Sequence, residues 1–457
     1  MVRQQFYKKQ PIAIYFSVAC SLFLLTPVLA GDDFSIEDTF KAHCIECHGA
    51  KGKVKGDVNL VSYSEGEDIK EDPELLQTVL EVIDFGEMPP EENNPIPKHE
   101  RQIIVKHLKE MLEVAVKSKE EVVVAPIRRM TRFQYANAVK DLLGLKVEVF
   151  PLPEKMMRDR SGYFKPHTGK MPAKMTVSSR PLGKSGLIEP RMDGVAPFPQ
   201  DLRAEHGYDT QGDHLSLSPL LMEDFFRLSR SIVKSPSFNP KNVGVWKQYF
   251  EEPKPGINQS DELKARLQKL LKRAFRAPVD DKTFNKYFSF AEQEMRKGAG
   301  MGEIMKDVFS AILASPRFLY LYDRSGEESS EMQTTQNLDL ASRLSFFLWG
   351  SVPDEELLEV AVEGTIREDE QLCRQVDRML NDGKLKRFCD SFPTQWLQLD
   401  RIISAVPDEK KYKDFYYAAP LYRTTMDMMM EPLLLFETVL IEDRSILELI
   451  DSNYTFR

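Results

Sequence analysis

Three residues stand out for the chemistry their spacing permits. Cys44, Cys47 and His48 form one complete C-x-x-C-H, the pattern through which a chain attaches c-type haem. Two thiols one helical turn apart can add across the two vinyl groups of one porphyrin. The imidazole that follows is then held under the iron as its proximal ligand. Other uses of these cysteines fit less well. A thioredoxin-like C-x-x-C belongs in a βαβ setting, and none surrounds this one. A zinc site could recruit His43 and His48 but would lack a second spaced ligand pair. The expected cofactor is one covalent haem c with its iron.

A second axial ligand must come from further along the chain. Met88 lies forty residues after His48, in Gly86-Glu87-Met88-Pro89-Pro90. That distance lets the chain circle the ring and return a thioether to its other face. The two prolines fix the local backbone and remove two donors, which suits an extended ligand loop. Core packing is the ordinary use of a lone methionine, and His99 and His107 are the competing ligands. The expected set is Cys44, Cys47, His48 and Met88, with His48 and Met88 on the metal.

Short helices must hold these residues. Ser35 can cap a helix running through IEDTFKAH into the motif, and Gly49, Gly52 and Gly56 loosen the chain after it. PELLQTVLEVI has helical apolar spacing at Leu75, Leu76, Val79, Leu80 and Ile83. A further helix, KHERQIIVKHLKEMLEVAV, would close a small domain over 31–122. Together these features resemble a class I cytochrome c. More narrowly, CIECHGAKGKVKGDVNL with the later GEMPP is similar to the planctomycete cytochrome c domain, which fronts large secreted proteins whose other domains have no assigned function.

The remainder carries the same resemblance. RRMTRFQYANAVKDLLGL reads as a helix with Thr131 as N-cap and Gly144 as its stop. Arg132, Tyr135, Asn137 and Asp141 match the helix that follows the cytochrome in those proteins. FPQDLRAEHGYDTQGDHLSLSPLLMEDFF resembles the second half of that domain, giving 126–235. The Pro/Gly-rich stretch from Pro151 to Pro199 between them has no usable periodicity, and its basic part reads as a solvated loop. Helices follow at DELKARLQKLLKRAF, at Asp280 to Gly298 and at EIMKDVFSAILASPRFLYLY, with a break expected at Pro316. KRAFRAPV and ILASPRFLY resemble the next family domain, 260–323, and the last part, 338–457, resembles the one after it. Relatives of this kind continue with two more domains, so the end at Arg457 suggests a truncated gene or a split reading frame. The fold expected is all-α: a small class I-like cytochrome c domain followed by a larger, mainly helical multi-domain module.

The N-terminus supports the haem reading. Arg3, Lys8 and Lys9 precede an apolar run and then Val28-Leu29-Ala30 before Gly31. This is the form of a signal peptide, 1–30, although an uncleaved membrane anchor would look similar. Export to the periplasm, cell surface or medium agrees with haem attachment outside the cytoplasm. Removal of the signal leaves 59 basic and 71 acidic residues, a net charge of −12, which argues against nucleic acid as a partner. Cys373 and Cys389 sit in helices flanking Asn381-Asp382-Gly383 and could pair in an oxidising compartment or remain free.

The helical part shows no catalytic constellation. All seven histidines lie at or before His214, and no phosphate loop or zinc signature follows. Glu355 and Glu356 suit a helix N-terminus. Met426, Met428, Met429 and Met430 read as core rather than a soft-metal site, as do Phe346, Phe347, Trp349 and Trp396. The leading functional reading is an exported, electron-transferring c-type cytochrome with an unknown redox partner protein. The alternatives are a haem-bearing oxidoreductase acting on an extracellular substrate such as polysaccharide, and a surface interaction protein with a redox-sensing or remnant haem domain.

Overall fold

The computed structural model describes residues 35–49, 52, 54–66, 68–90, 95–118, 126–152, 155–159, 161–179, 189–204, 207–215, 217–323, 333–413 and 421–456. The signal-peptide reading lies outside them. Among the described residues, no helix is long and apolar enough to cross a membrane. The chain divides between Glu121 and Val122 into two compact units.

The first unit is built on two helices, Pro73–Asp84 and Lys98–Ser118. Asp72 starts the former by accepting from the backbone of Leu75 at 3.0 Å, with Pro73 in the first turn, where its missing N–H costs nothing. The helical spacing buries Leu76, Val79, Leu80 and Ile83 against Ile104, Val105 and Leu108. Phe40, Leu60 and Ile69 complete this core. A short α-helix, Ile36–Thr39, starts at Ser35, which accepts from Asp38 N at 3.2 Å.

The second unit is also mainly helical, with two small antiparallel sheets among its described residues. Its first helix, Arg132–Leu143, has the expected Thr131 cap and a left-handed Gly144 at its end. The Thr131 hydroxyl accepts from Gln134 N, and the Gln134 side chain accepts from Thr131 N. Helices Gln259–Phe275, Asp281–Arg296 and Met301–Leu313 follow. A new short helix begins at Pro316, the expected break. One apolar core gathers Tyr135, Phe225, Leu267, Phe309 and Phe318, and another surrounds Trp349, Leu357 and Met379.

Three expectations change on folding. Part of the Pro151–Pro199 stretch is packed rather than solvated. Met157–Asp159 pairs with Val177–Ser179, and Met157, Tyr163 and Met171 bury against Leu433 and Leu434 of the helix Leu421–Ile441. Two-residue alternation has little length in which to show itself in strands of three residues. The aromatic residues also divide: Phe346 and Trp349 are core, whereas Phe347 and Trp396 are 61% and 43% exposed. Of the methionines, Met429 is buried and Met428 is exposed, since successive helical positions turn to different faces. Cys373 is exposed and Cys389 buried, both as free thiols.

Buried arginines bind the second unit internally. Arg276 donates to the carbonyls of Ala274, Phe318 and Tyr320 at 2.9–3.1 Å, and burial draws its pKa down to about 10. Asp141 accepts two bonds from Arg387 at 2.7 Å and one from Ser351 at 2.8 Å. Burial alone would raise the Asp141 carboxyl. The bonds from Arg387, with Lys384 and Ser351 nearby, outweigh it and hold the group below its ordinary range.

Candidate haem-attachment site

The helix that begins at Ile36 widens into a π-helical turn at Phe40–Cys44, a geometry often found where a helix carries function. Its last residue is the first motif cysteine. Backbone bonds then draw the motif into one compact turn: Cys47 N and His48 N both donate to Cys44 O, at 3.2 and 3.0 Å. Cys44 packs on the apolar core, and burial pushes its thiol up to about 11. Cys47 is half-buried.

His48 is tied on both sides. Its carbonyl accepts from Leu60 N at 2.8 Å, and its Nδ1 donates to the carbonyl of Val58 at 3.3 Å. A carbonyl can only accept, so this bond puts the proton on Nδ1 and leaves the Nε2 lone pair free to ligate. The loop must close tightly for this. Gly49 has φ +141°, and a Cβ there would lie 2.3 Å from Val61 Cγ2 and 2.5 Å from Asn59 Oδ1. A side chain at position 49 would meet the Asn59 and Val61 side chains, next to the Val58 carbonyl that holds the imidazole.

Met88 stands just beyond the helix Pro73–Asp84. Glu87 N and Met88 N both donate to Val82 O, at 2.9 and 3.0 Å, so the loop is fastened to a helix whose other face is core. Met88 is 37% exposed and Phe85 79% exposed, the surface character expected of side chains that a large apolar cofactor would cover. The competing histidines are placed differently. His99 is exposed, and His107 Nδ1 donates to Ile103 O at 3.0 Å within its own helix. His43 faces Glu100 at 3.7 Å.

Arg101 escaped the sequence reading. Its Nη1 would lie 2.3 Å from a Cβ at Gly86, so the guanidinium occupies the space beside the Met88 loop, and its buried Nε lacks a partner. Nothing local in KHERQ distinguishes it from an ordinary basic helix residue.

The donors present fit a c-type haem. Two free thiols could form the thioethers, and His48 offers an imidazole of fixed tautomer. A thioether loop and exposed apolar side chains belong to the same unit. Among the described residues, no group of three or more His, Cys, Asp or Glu could hold a metal ion by itself.

Comparison with known families supports this assignment. Residues 44–92 match the family Planctomycete cytochrome C. Residues 128–163 and 186–235 match Protein of unknown function (DUF1587), residues 262–323 match Protein of unknown function (DUF1595), and residues 335–457 match Protein of unknown function (DUF1592). No curated protein and no solved structure matches the chain. The chain is thus a cytochrome c-like haem protein, in which a planctomycete cytochrome c domain is followed by three domains of unknown function.

Proposed function

We propose that the first unit is an electron-transfer domain in which Cys44 and Cys47 bind one haem covalently and His48 and Met88 take the two axial positions. The observation that carries this reading is the Nδ1 bond from His48 to Val58 O, which readies Nε2 for iron before any cofactor arrives. Haem held this way supplies a one-electron iron couple, and a thioether ligand raises its potential. The protein's part is positional. Val58 and Leu60 fix the imidazole, Val82 anchors the Met88 loop, and two protein ligands leave no open position for substrate. Arg3, Lys8, Lys9 and the apolar run that follows support export to the periplasm or cell surface, where a partner protein would exchange electrons with the domain.

Met88 is the ligand to test. Met88→Ala should abolish the iron–thioether charge-transfer band of the ferric protein, lower the potential and admit carbon monoxide or cyanide. A wild-type protein without that band would remove Met88 from the ligand set, and substitution of His99 and His107 would then identify the replacement.

A second reading, a haem-bearing oxidoreductase acting on an extracellular polysaccharide, draws on a cavity of about 480 Å³ in the second unit. Tyr208, Phe347, Phe388 and Phe392 line it with Arg128 and Arg343. Phe388 and Phe392 stack at 5.1 Å, offering flat apolar surface beside polar groups, as sugar rings require. Haem reduction that depends on added polysaccharide would favour this reading over simple electron transfer.

A further inference from the structure

A different cavity in the second unit, of about 250 Å³, has a wall dominated by cations. Lys140 and Lys155 approach it from one part of the chain, and Lys384, Lys386 and Arg387 from another. Among the described residues, two carboxylates, Glu148 and Asp390, line it with them, while Glu189, Asp141 and Glu437 pair with Lys155, Arg387 and Lys386 from behind the wall.

Hydrogen-bond capacity sharpens the reading. Arg387 is committed to Asp141 through two bonds, and Lys386 is held by Asp390 and Glu437. These two form the fixed part of the wall. The other three cations have donors to spare, since an ammonium has three. Lys140 holds Glu148 at 2.6 Å and Lys155 holds Glu189 at 3.0 Å. Lys384 is 3.8 Å from Asp141, beyond hydrogen-bond range, and its ammonium lies 4.2 Å from the centre of the Trp349 ring. Asn137, which also lines the cavity, is 5% exposed, and its buried amide nitrogen has no hydrogen-bond partner. Three ammonium groups with donors to spare, around a buried amide nitrogen that lacks a partner, call for a ligand that brings acceptors.

We propose that this cavity binds a tetrahedral oxyanion, phosphate or sulfate, either free or as a monoester. Lys140, Lys155 and Lys384 hold its oxygens, and a small turn of the Asn137 amide adds a neutral donor. Compact ammonium groups suit an anion approached from several sides, where a planar guanidinium would fix one plane. The site draws on the matched segments 128–163 and 335–457, so a bound anion would tie two of the domains of unknown function together.

The test is calorimetric titration of the full-length, haem-loaded protein with inorganic phosphate, sulfate and glycerol phosphate at constant low ionic strength, with chloride as control. Saturable one-site binding of phosphate or sulfate is expected, and Lys384→Gln should weaken it about tenfold, the loss of one charge-assisted bond. Lys269→Gln, at an exposed surface pair with Glu355, should leave binding unchanged. If Lys384→Gln fails to fold, Lys155→Gln carries the same expectation. Tighter binding of glycerol phosphate would identify an ester ligand, and preference for the inorganic ions a free one. Absence of saturable binding, or equal binding by wild type and the folded lysine variant, overturns the proposal.

Discussion

The two units place their polar groups in opposite ways. In the first, three of the four proposed haem residues fall within five consecutive positions, and the bonds that orient them come from the next dozen residues. In the second, Asp141 and Arg387 are joined across 246 residues, and Tyr163 and Glu437 across 274. The first arrangement is local and needs a cofactor to become useful. The second is global, and its polar groups hold the fold itself. Loss of a haem residue should therefore remove a function, while loss of a second-unit charge should remove stability.

The largest effect expected is at the cysteines. Replacing both, Cys44→Ala with Cys47→Ala, should abolish covalent haem, so that no colour stays with the denatured chain after acid-acetone extraction. The second unit should keep its helical circular dichroism and its own thermal transition. If that transition disappears with the haem, the two units do not fold independently, and the contrast drawn above fails.

Asp141 provides the converse. Asp141→Asn leaves Arg387 partly buried without its carboxylate and should cost about 3 kcal/mol, with the haem spectrum unchanged. The effect should depend on pH. The folded-state carboxyl lies below its ordinary 3.8, so its stabilisation is full above that value and is lost as pH falls through the lower folded one. Glu437 works in the other sense. Burial, more than the opposing pull of Lys386, raises its pKa, so its proton-linked stabilisation is full below the unfolded value near 4.5 and declines as pH rises through the folded one. Denaturant melts from pH 3 to 7 should show the wild type losing more stability on acidification than Asp141→Asn. Parallel curves would mean that Asp141 does not titrate as its contacts dictate.

Legibility followed the same division. C-x-x-C-H needs no fold to be recognised, because the chemistry fixes the spacing. The helices were readable from Leu76, Val79, Leu80 and Ile83, whose period survives any packing partner. Thr131 and Gly144 announced the ends of their helix for equally local reasons. Asp141 lay on that helix, but its partner Arg387 could not be found from sequence, because no periodicity relates positions in different elements. Lys386 and Asp390 are an ordinary i, i+4 pair by sequence. Only folding adds Glu437 and Tyr163 and turns the pair into a buried network. Phe347 is exposed where core is expected, because apolar type alone does not say which face of a helix is covered.

The smallest predicted effect is the most exacting test of the contrast. Thr131→Ala removes the hydroxyl that accepts from Gln134 N, and an N-cap loss of this kind costs about 1 kcal/mol. Gln134 would still bond Thr131 N at 3.2 Å and receive Arg128 at 2.9 Å, so the helix start should loosen without unfolding. In a unit of this size, such a loss should lower the melting temperature by only about 2 °C. Thr131 lies just after the division between the units, so it also reports on coupling across that division. If the units are energetically separate, the variant should leave the haem potential and the iron–thioether band unchanged while the helical transition moves slightly. A shift in potential from this one hydroxyl would show that the second unit sets the haem environment, despite the local construction of the haem site.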